Sequence, residues 1–259
     1  MSKLRVIYFL IFLLSMLSPS GIYGQSESAD AAKSKADSLY TVGQYKEAIE
    51  AYNRLIKEAG VSPELYYNLG NSYYKSNDMA HAILNYERGL KLDPSDSDIR
   101  HNLSIARSKI VDKNNNPSEF FIVAWWKSFS NFFSLTLLKI MGLISFSLFL
   151  ALVLYIKYKK NEGKNKYLRY ASILLFSLFV LFNLAAYQQY RNIVSVKSAI
   201  VTSESVNVKS SPSENSLDLF EIHSGTRLTI LDNSMKEWCE VRYEDEKEGW
   251  IEKKSIEMI

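Results

Sequence analysis

Apolar residues in this chain gather in three unlike patterns, and each predicts a different kind of element. Two charge-free spans, Ile140–Ile156 and Tyr170–Tyr190, are almost uniformly apolar. At about 1.5 Å rise per residue they reach roughly 25 and 31 Å as helices, enough to cross a bilayer core of about 30 Å. Between residues 29 and 110, apolar and small positions recur in a repeating pattern of paired helices broken by polar turns. Beyond Ala199 the apolar runs shorten: Val206–Val208, Arg227–Leu231, Trp238–Arg242 and Gly249–Ile251 alternate or are β-branched. Ser210–Ser216 and Asp232–Ser234 between them are turn chemistry, so about five short strands in a small barrel are expected.

Charge orients the apolar spans. The loop between them carries Lys157, Lys159, Lys160, Lys164, Lys166 and Arg169, and short basic loops stay cytoplasmic. The segments on either side then share the opposite compartment. The N-terminus agrees: Lys3 and Arg5 precede the apolar stretch Val6–Leu17, too short to span, and Pro19, Ser20, Gly21 and Gly24 follow. This reads as a secretory signal over residues 1–24, with Ile22 departing from the small-residue preference; an uncleaved anchor is the alternative. The expected placement is two-pass in the cytoplasmic membrane, with residues 158–169 inside and both flanking modules periplasmic. Neither span holds Asp, Glu, His, Lys or Arg, so the hairpin reads as an anchor rather than a transport path.

Aligning Gly43–Tyr52 with Asn77–Tyr86 gives an offset of 34 residues, matching Ala48 to Ala82, Ile49 to Ile83 and Tyr52 to Tyr86. With Tyr66, Leu69, Gly70, Tyr73, Gly89 and Pro94 in place, residues 63–96 resemble the tetratricopeptide repeat. Residues 29–62 are a degenerate copy, with Ala32 and Lys35 where the family has an aromatic and a leucine. Asp96–Ile110 reads as a capping helix, giving an all-α array over 29–110. The resemblance implies an extended peptide on the concave face, here Tyr67, Asn71, Tyr74, Lys75 and Asn102. The asparagines would hold its backbone through bidentate amide contacts. An ordinary solvated helix face is the competing reading.

Phe120, Phe121, Trp125, Trp126, Phe129, Phe132 and Phe133 predict an amphipathic helix over 118–138 at the membrane interface, before spans at 139–157 and 170–190. At the other end, Asn207–Pro212, Ser224-Gly225-Thr226, Trp238 and Gly249-Trp250-Ile251 resemble the bacterial Src-homology-3-like (SH3-like) domain over 199–259, with Lys209 where the family usually has Arg. That resemblance implies a ligand face of exposed aromatics, here Trp238, Tyr243 and Trp250, although Trp250 also reads as a packing residue. Peptides or cell-wall fragments are the ligands it implies.

The remaining chemistry is sparse. Net charge is +3 and the basic residues gather in the loop, so no nucleic-acid partner is expected. Cys239 is the sole cysteine and reads as a core residue; His81, His101 and His223 read as scattered surface residues. Glu244–Glu246 reads as a solvated turn. No catalytic constellation, metal site or cofactor site is legible, and no enzyme is expected. The order of parts resembles the BatE-type proteins of the Bacteroides aerotolerance (Bat) operon. It implies a multidomain membrane protein that acts as a non-enzymatic scaffold, with von Willebrand A-domain proteins and a MoxR-like ATPase in the same set. A peptidoglycan-binding envelope tether or sensor is the alternative.

Overall fold

The computed structural model describes residues 27–112, 120–158, 165–195, 197–243 and 247–259. The signal segment, Lys159, Lys160 and Lys164 of the basic loop, and the Glu244–Glu246 turn lie outside them. Eight α-helices precede seven strands among the described residues.

Five helices form the first module: α1 (Glu27–Thr41), α2 (Tyr45–Ala59), α3 (Pro63–Lys75), α4 (Met79–Leu92) and α5 (Ser97–Ser108). Their starts follow from local chemistry. The Ser62 side chain accepts from Leu65 N with Pro63 in the first turn, Asp78 accepts from His81 N, and Asp96 accepts from Asp98 N and Ile99 N. The turns between paired helices reverse at Gly43 and Asn77, 34 residues apart and both at positive φ, where glycine and asparagine are tolerated. Ala36, Ala48, Tyr52, Leu55, Leu65 and Leu69 form one core, and Ala82, Ile83, Tyr86, Ile99 and Leu103 belong to the next. Gly70 lies under the Tyr86 ring, where a Cβ would come within 2.7 Å of Cε1.

α6 (Phe121–Phe132), α7 (Leu135–Tyr158) and α8 (Asn165–Ser195) follow. The aromatic helix is shorter than expected: Phe133 is extended, and α7 starts before the predicted span. Gln189 of α8 accounts for the break, since its Nε2 donates to Phe133 O at 2.8 Å and to Ser130 O, pinning the turn. α7 and α8 pack antiparallel through Phe146, Phe149, Phe176 and Phe179, whose ring centroids lie 4.9 and 5.3 Å apart across the pair. Both are long and apolar enough to cross a membrane, and only 17% of each apolar window is buried within the protein. The core helix of a soluble protein would be mostly covered.

The last module is a single antiparallel sheet of β1 (Ser198–Val201), β2 (Ser205–Lys209), β3 (Asp218–His223), β4 (Arg227–Asp232), β5 (Trp238–Tyr243), β6 (Lys247–Glu252) and β7 (Ile256–Met258). Strand order is β3-β2-β6-β5-β4-β1-β7, so the ladder stays open and the expected small barrel of about five strands is corrected to an open sheet of seven. The physical reason is at the β7 edge. Arg88 Nη2 donates to Met258 O at 2.6 Å and Lys91 Nζ to Ile259 O at 3.0 Å, so helix α4 covers carbonyls that barrel closure would otherwise pair. The core alternates inward as Val206, Val208, Ile222, Leu228, Ile230, Cys239, Val241 and Ile251.

Candidate functional site

Helices α1, α3 and α5 line a groove of about 270 Å³, with Tyr86 of α4 in its wall. Tyr67, Asn71, Tyr74, Lys75 and Asn102 all border it, joined by Tyr40 and Ile105. The polar groups are not independent. Tyr86 Oη donates to Asn71 Oδ1 at 2.6 Å, and Asn102 Nδ2 donates to the same oxygen at 2.9 Å. One repeat earlier the arrangement recurs: Tyr52 Oη donates to Asp37 Oδ1 at 2.5 Å and Asn68 Nδ2 donates there at 3.3 Å. Each residue of the first set lies 34 positions after its counterpart, so these bonds are a ladder stitching adjacent helices.

This ladder corrects the expected bidentate grip. Oδ1 of Asn71 and Nδ2 of Asn102 are engaged within the array, so neither amide presents a donor–acceptor pair to a ligand. Burial pushes the Tyr86 phenol well above its ordinary value, keeping it a neutral donor at any ordinary pH. Outward chemistry falls to Tyr74, Lys75 and Lys109, the last with Nζ 4.3 Å from the Tyr74 ring centroid. An aromatic floor beside two cations suits an extended segment with an acidic or carboxylate group.

Residues 63–96 match the family model of the tetratricopeptide repeat, residues 36–77 match a TPR repeat model, and residues 204–257 match the bacterial SH3 domain. The chain carries tetratricopeptide repeats and a bacterial SH3 domain. No curated protein matches it at a significant level.

The tetratricopeptide repeats and the SH3 domain dock directly on each other. Asp112, just beyond the capping helix, accepts from His223 N at 2.6 Å, Thr226 Oγ1 at 2.8 Å and His223 Nδ1 at 3.1 Å. Burial pushes its carboxyl up, but these bonds outweigh burial and hold it below the usual carboxylate range. Gly225 sits between its two partners at φ +88°, and a Cβ there would meet Ile110 Cγ2 at 2.6 Å and Ile83 Cδ1 at 3.2 Å. Ile200 of β1 is fully buried in the same cluster as Ile83, Ile99 and Leu103.

Charge continues the seam. Glu87 of α4, 7% exposed, bridges Arg107 and Arg227, the latter at 3.4 Å. Arg88 pairs with Glu257 at 3.0 Å, and His81 Nε2 lies 3.8 Å from the same carboxylate. The His81 ring also bonds Asp78 at 2.8 Å, and that bond outweighs burial and raises its pKa. His81 and His223 are therefore interface residues rather than the scattered surface residues expected.

On the SH3 domain, the β5–β6 register pairs Trp238 with Glu252 and Glu240 with Trp250, placing both tryptophans on the outer face. Trp238 borders a polar hollow of about 400 Å³ with Lys236, Lys253 and three glutamates among its walls. Tyr243 is corrected: it faces inward, 9% exposed, with Phe220 at 6.3 Å, because odd positions of β5 point to the core. Cys239 shares that face, and burial pushes its thiol up to about 11. Among the described residues, no group of three or more His, Cys, Asp or Glu side chains is placed to hold a metal.

Proposed function

We propose that this protein is a non-enzymatic membrane-anchored adaptor whose tetratricopeptide groove holds an extended segment of a partner protein. The observation that carries the reading is the joint placement of the groove and the SH3 domain. Both belong to one docked body, and that body sits at one end of the apolar hairpin, where α4 meets α8. A shared end supports a two-pass hairpin with both modules on one side, and the basic residues between the spans support that side being the periplasm. Order of parts supports membership of a Bat-type complex, in which von Willebrand A-domain proteins are the partners implied by resemblance. Holding the groove on a membrane-anchored body raises its effective concentration toward a membrane-bound target, so a weak peptide contact suffices.

Crosslinking and co-purification of the full chain from gently solubilised membranes tests this. Tyr74→Ala with Lys75→Glu removes the outward groove chemistry while sparing the Asn71–Tyr86–Asn102 ladder. Loss of co-purified partners is expected; an unchanged partner set rejects the groove as the binding face.

The outer face bearing Trp238 and Trp250 beside a polar hollow favours a second reading, a peptidoglycan-binding tether. Sedimentation of the solubilised full chain with purified wall material checks it: Trp238→Ala must abolish pelleting, and no pelleting of the unsubstituted chain removes it.

A further inference from the structure

A third cavity, of about 250 Å³, lies where the repeats, the apolar hairpin and the SH3 domain converge. Lys91 and Arg100 enter it from the end of α4 and the start of α5, Arg227 from β4, and Asn131 and Asn192 from the hairpin side. We propose that this cavity binds a phosphate-bearing anion, and that its occupant in the membrane is the headgroup of an anionic phospholipid. The assignment rests on the proposed membrane insertion of the hairpin.

The charge balance favours an anion. Three cations border the cavity against the Glu87 carboxylate, which is already held by Arg107 and Arg227, and the Ile259 terminus, which Lys91 holds. Arg100 is therefore the cation left with the most bonding capacity for an anion. Arg100 donates to Pro94 O at 2.9 Å and has no side-chain carboxylate partner among the described residues, whereas Lys91 donates at 3.0 Å to an oxygen of Ile259, which also borders the cavity. Guanidinium, ammonium and amide donors converging on one hollow match the acceptor oxygens of a phosphate.

Placement selects the lipid as its source. Asn192 and Ile193 lie at the end of the apolar window Lys166–Ile193, so the cavity opens where a helix leaves the hydrocarbon. α6 beside it exposes Trp125 and Phe132, side chains suited to headgroup depth. Basic groups at that level attract anionic lipid over a Debye length, and a walled cavity adds directional contacts to that attraction.

The test uses the full chain reconstituted in vesicles of phosphatidylcholine with one-fifth phosphatidylglycerol, then extracted in mild detergent for native mass spectrometry of retained lipid. Preferential retention of phosphatidylglycerol is expected, reduced roughly fivefold for each charge removed in Lys91→Gln and Arg100→Gln. Asn192→Trp, which obstructs the cavity without changing charge, is expected to lower retention too. Arg191→Gln, an exposed charge on the same turn but outside the cavity, is expected to leave it unchanged. Equal retention in every variant, or equal loss in Arg191→Gln, reduces the effect to surface charge and overturns the site. Displacement of phosphatidylglycerol by millimolar inorganic phosphate, with equal stabilisation by phosphate in pure phosphatidylcholine, makes the free anion the ligand and overturns the lipid assignment. Failure of the chain to float with pure phosphatidylcholine vesicles instead refutes the membrane reading itself.

Discussion

Among the described residues, Asp112 is the side chain that makes the most hydrogen bonds across the seam between the repeats and the SH3 domain. Its carboxylate takes three hydrogen bonds from the His223–Thr226 turn, so Asp112→Ala leaves two donors and a backbone N–H without a partner. A loss of about 2–3 kcal/mol of docking stability is expected, read as faster hydrogen exchange across β1, β7 and residues 223–226 in the solubilised chain. Gly225→Ala combines a positive φ with a clash against Ile110 and is expected to have at least the same effect. Docking also has a pH window whose two limits have opposite signs. The depressed Asp112 carboxyl contributes above its unfolded pKa of about 4, and the contribution is lost as pH falls through the lower folded value. The raised His81 is held first by Asp78 of its own helix start and to a lesser extent by Glu257 across the seam. It contributes fully below its unfolded pKa of about 6.5, and the contribution, of which only the Glu257 part belongs to docking, is lost as pH rises through the higher folded value. Protection of β7 amides should therefore peak between about pH 4 and 6.5. A profile flat from pH 3 to 9 would show that neither group matters.

At the scale of elements, the repeating ladder explains why a short array holds together. Tyr86→Phe removes one donor to Asn71 and leaves the Asn102 bond, so a loss of about 1 kcal/mol in thermal or chemical unfolding is expected. Much of the array was legible from residues alone, because the 34-residue period reports the same small and aromatic positions in both repeats. The groove was legible too, since its lining residues share one helix face. What pattern could not show was how side chains bond to one another: Asn71 and Asn102 looked like ligand-facing amides, yet they are partnered inside the array. The spacing Asp37–Asn71, Tyr52–Tyr86 and Asn68–Asn102 was a readable signal for this. The open sheet was hidden for a different reason. An edge strand capped by a helix in another module leaves no local mark on its own sequence.

At the scale of the molecule, hydrophobic pattern and charge predict one membrane topology, and labelling is the measurement that checks it. Cys239 makes the topology easy to examine, because a buried thiol pushed up to about 11 resists maleimide. Ser213→Cys is expected to react with an impermeant maleimide on spheroplasts, and Lys164→Cys only after lysis. The reverse pattern would invert the orientation, and labelling of both on intact spheroplasts would exclude a two-pass insertion.

The seam between α4 and the sheet also sets an order of assembly. Arg88 and Met258 are 170 positions apart, so the repeats are synthesised long before the strands that cover them. During that interval Ile83 and Ile110 stay open to water, and chain entropy alone would make the late meeting slow. The hairpin changes the search. With α7 and α8 inserted as proposed, the nascent strands would emerge from α8 beside the surface they must reach, and a search along a long loop would become a short local one. On that proposal the hairpin would double as a folding guide, with the repeats as the template on which the last domain sets.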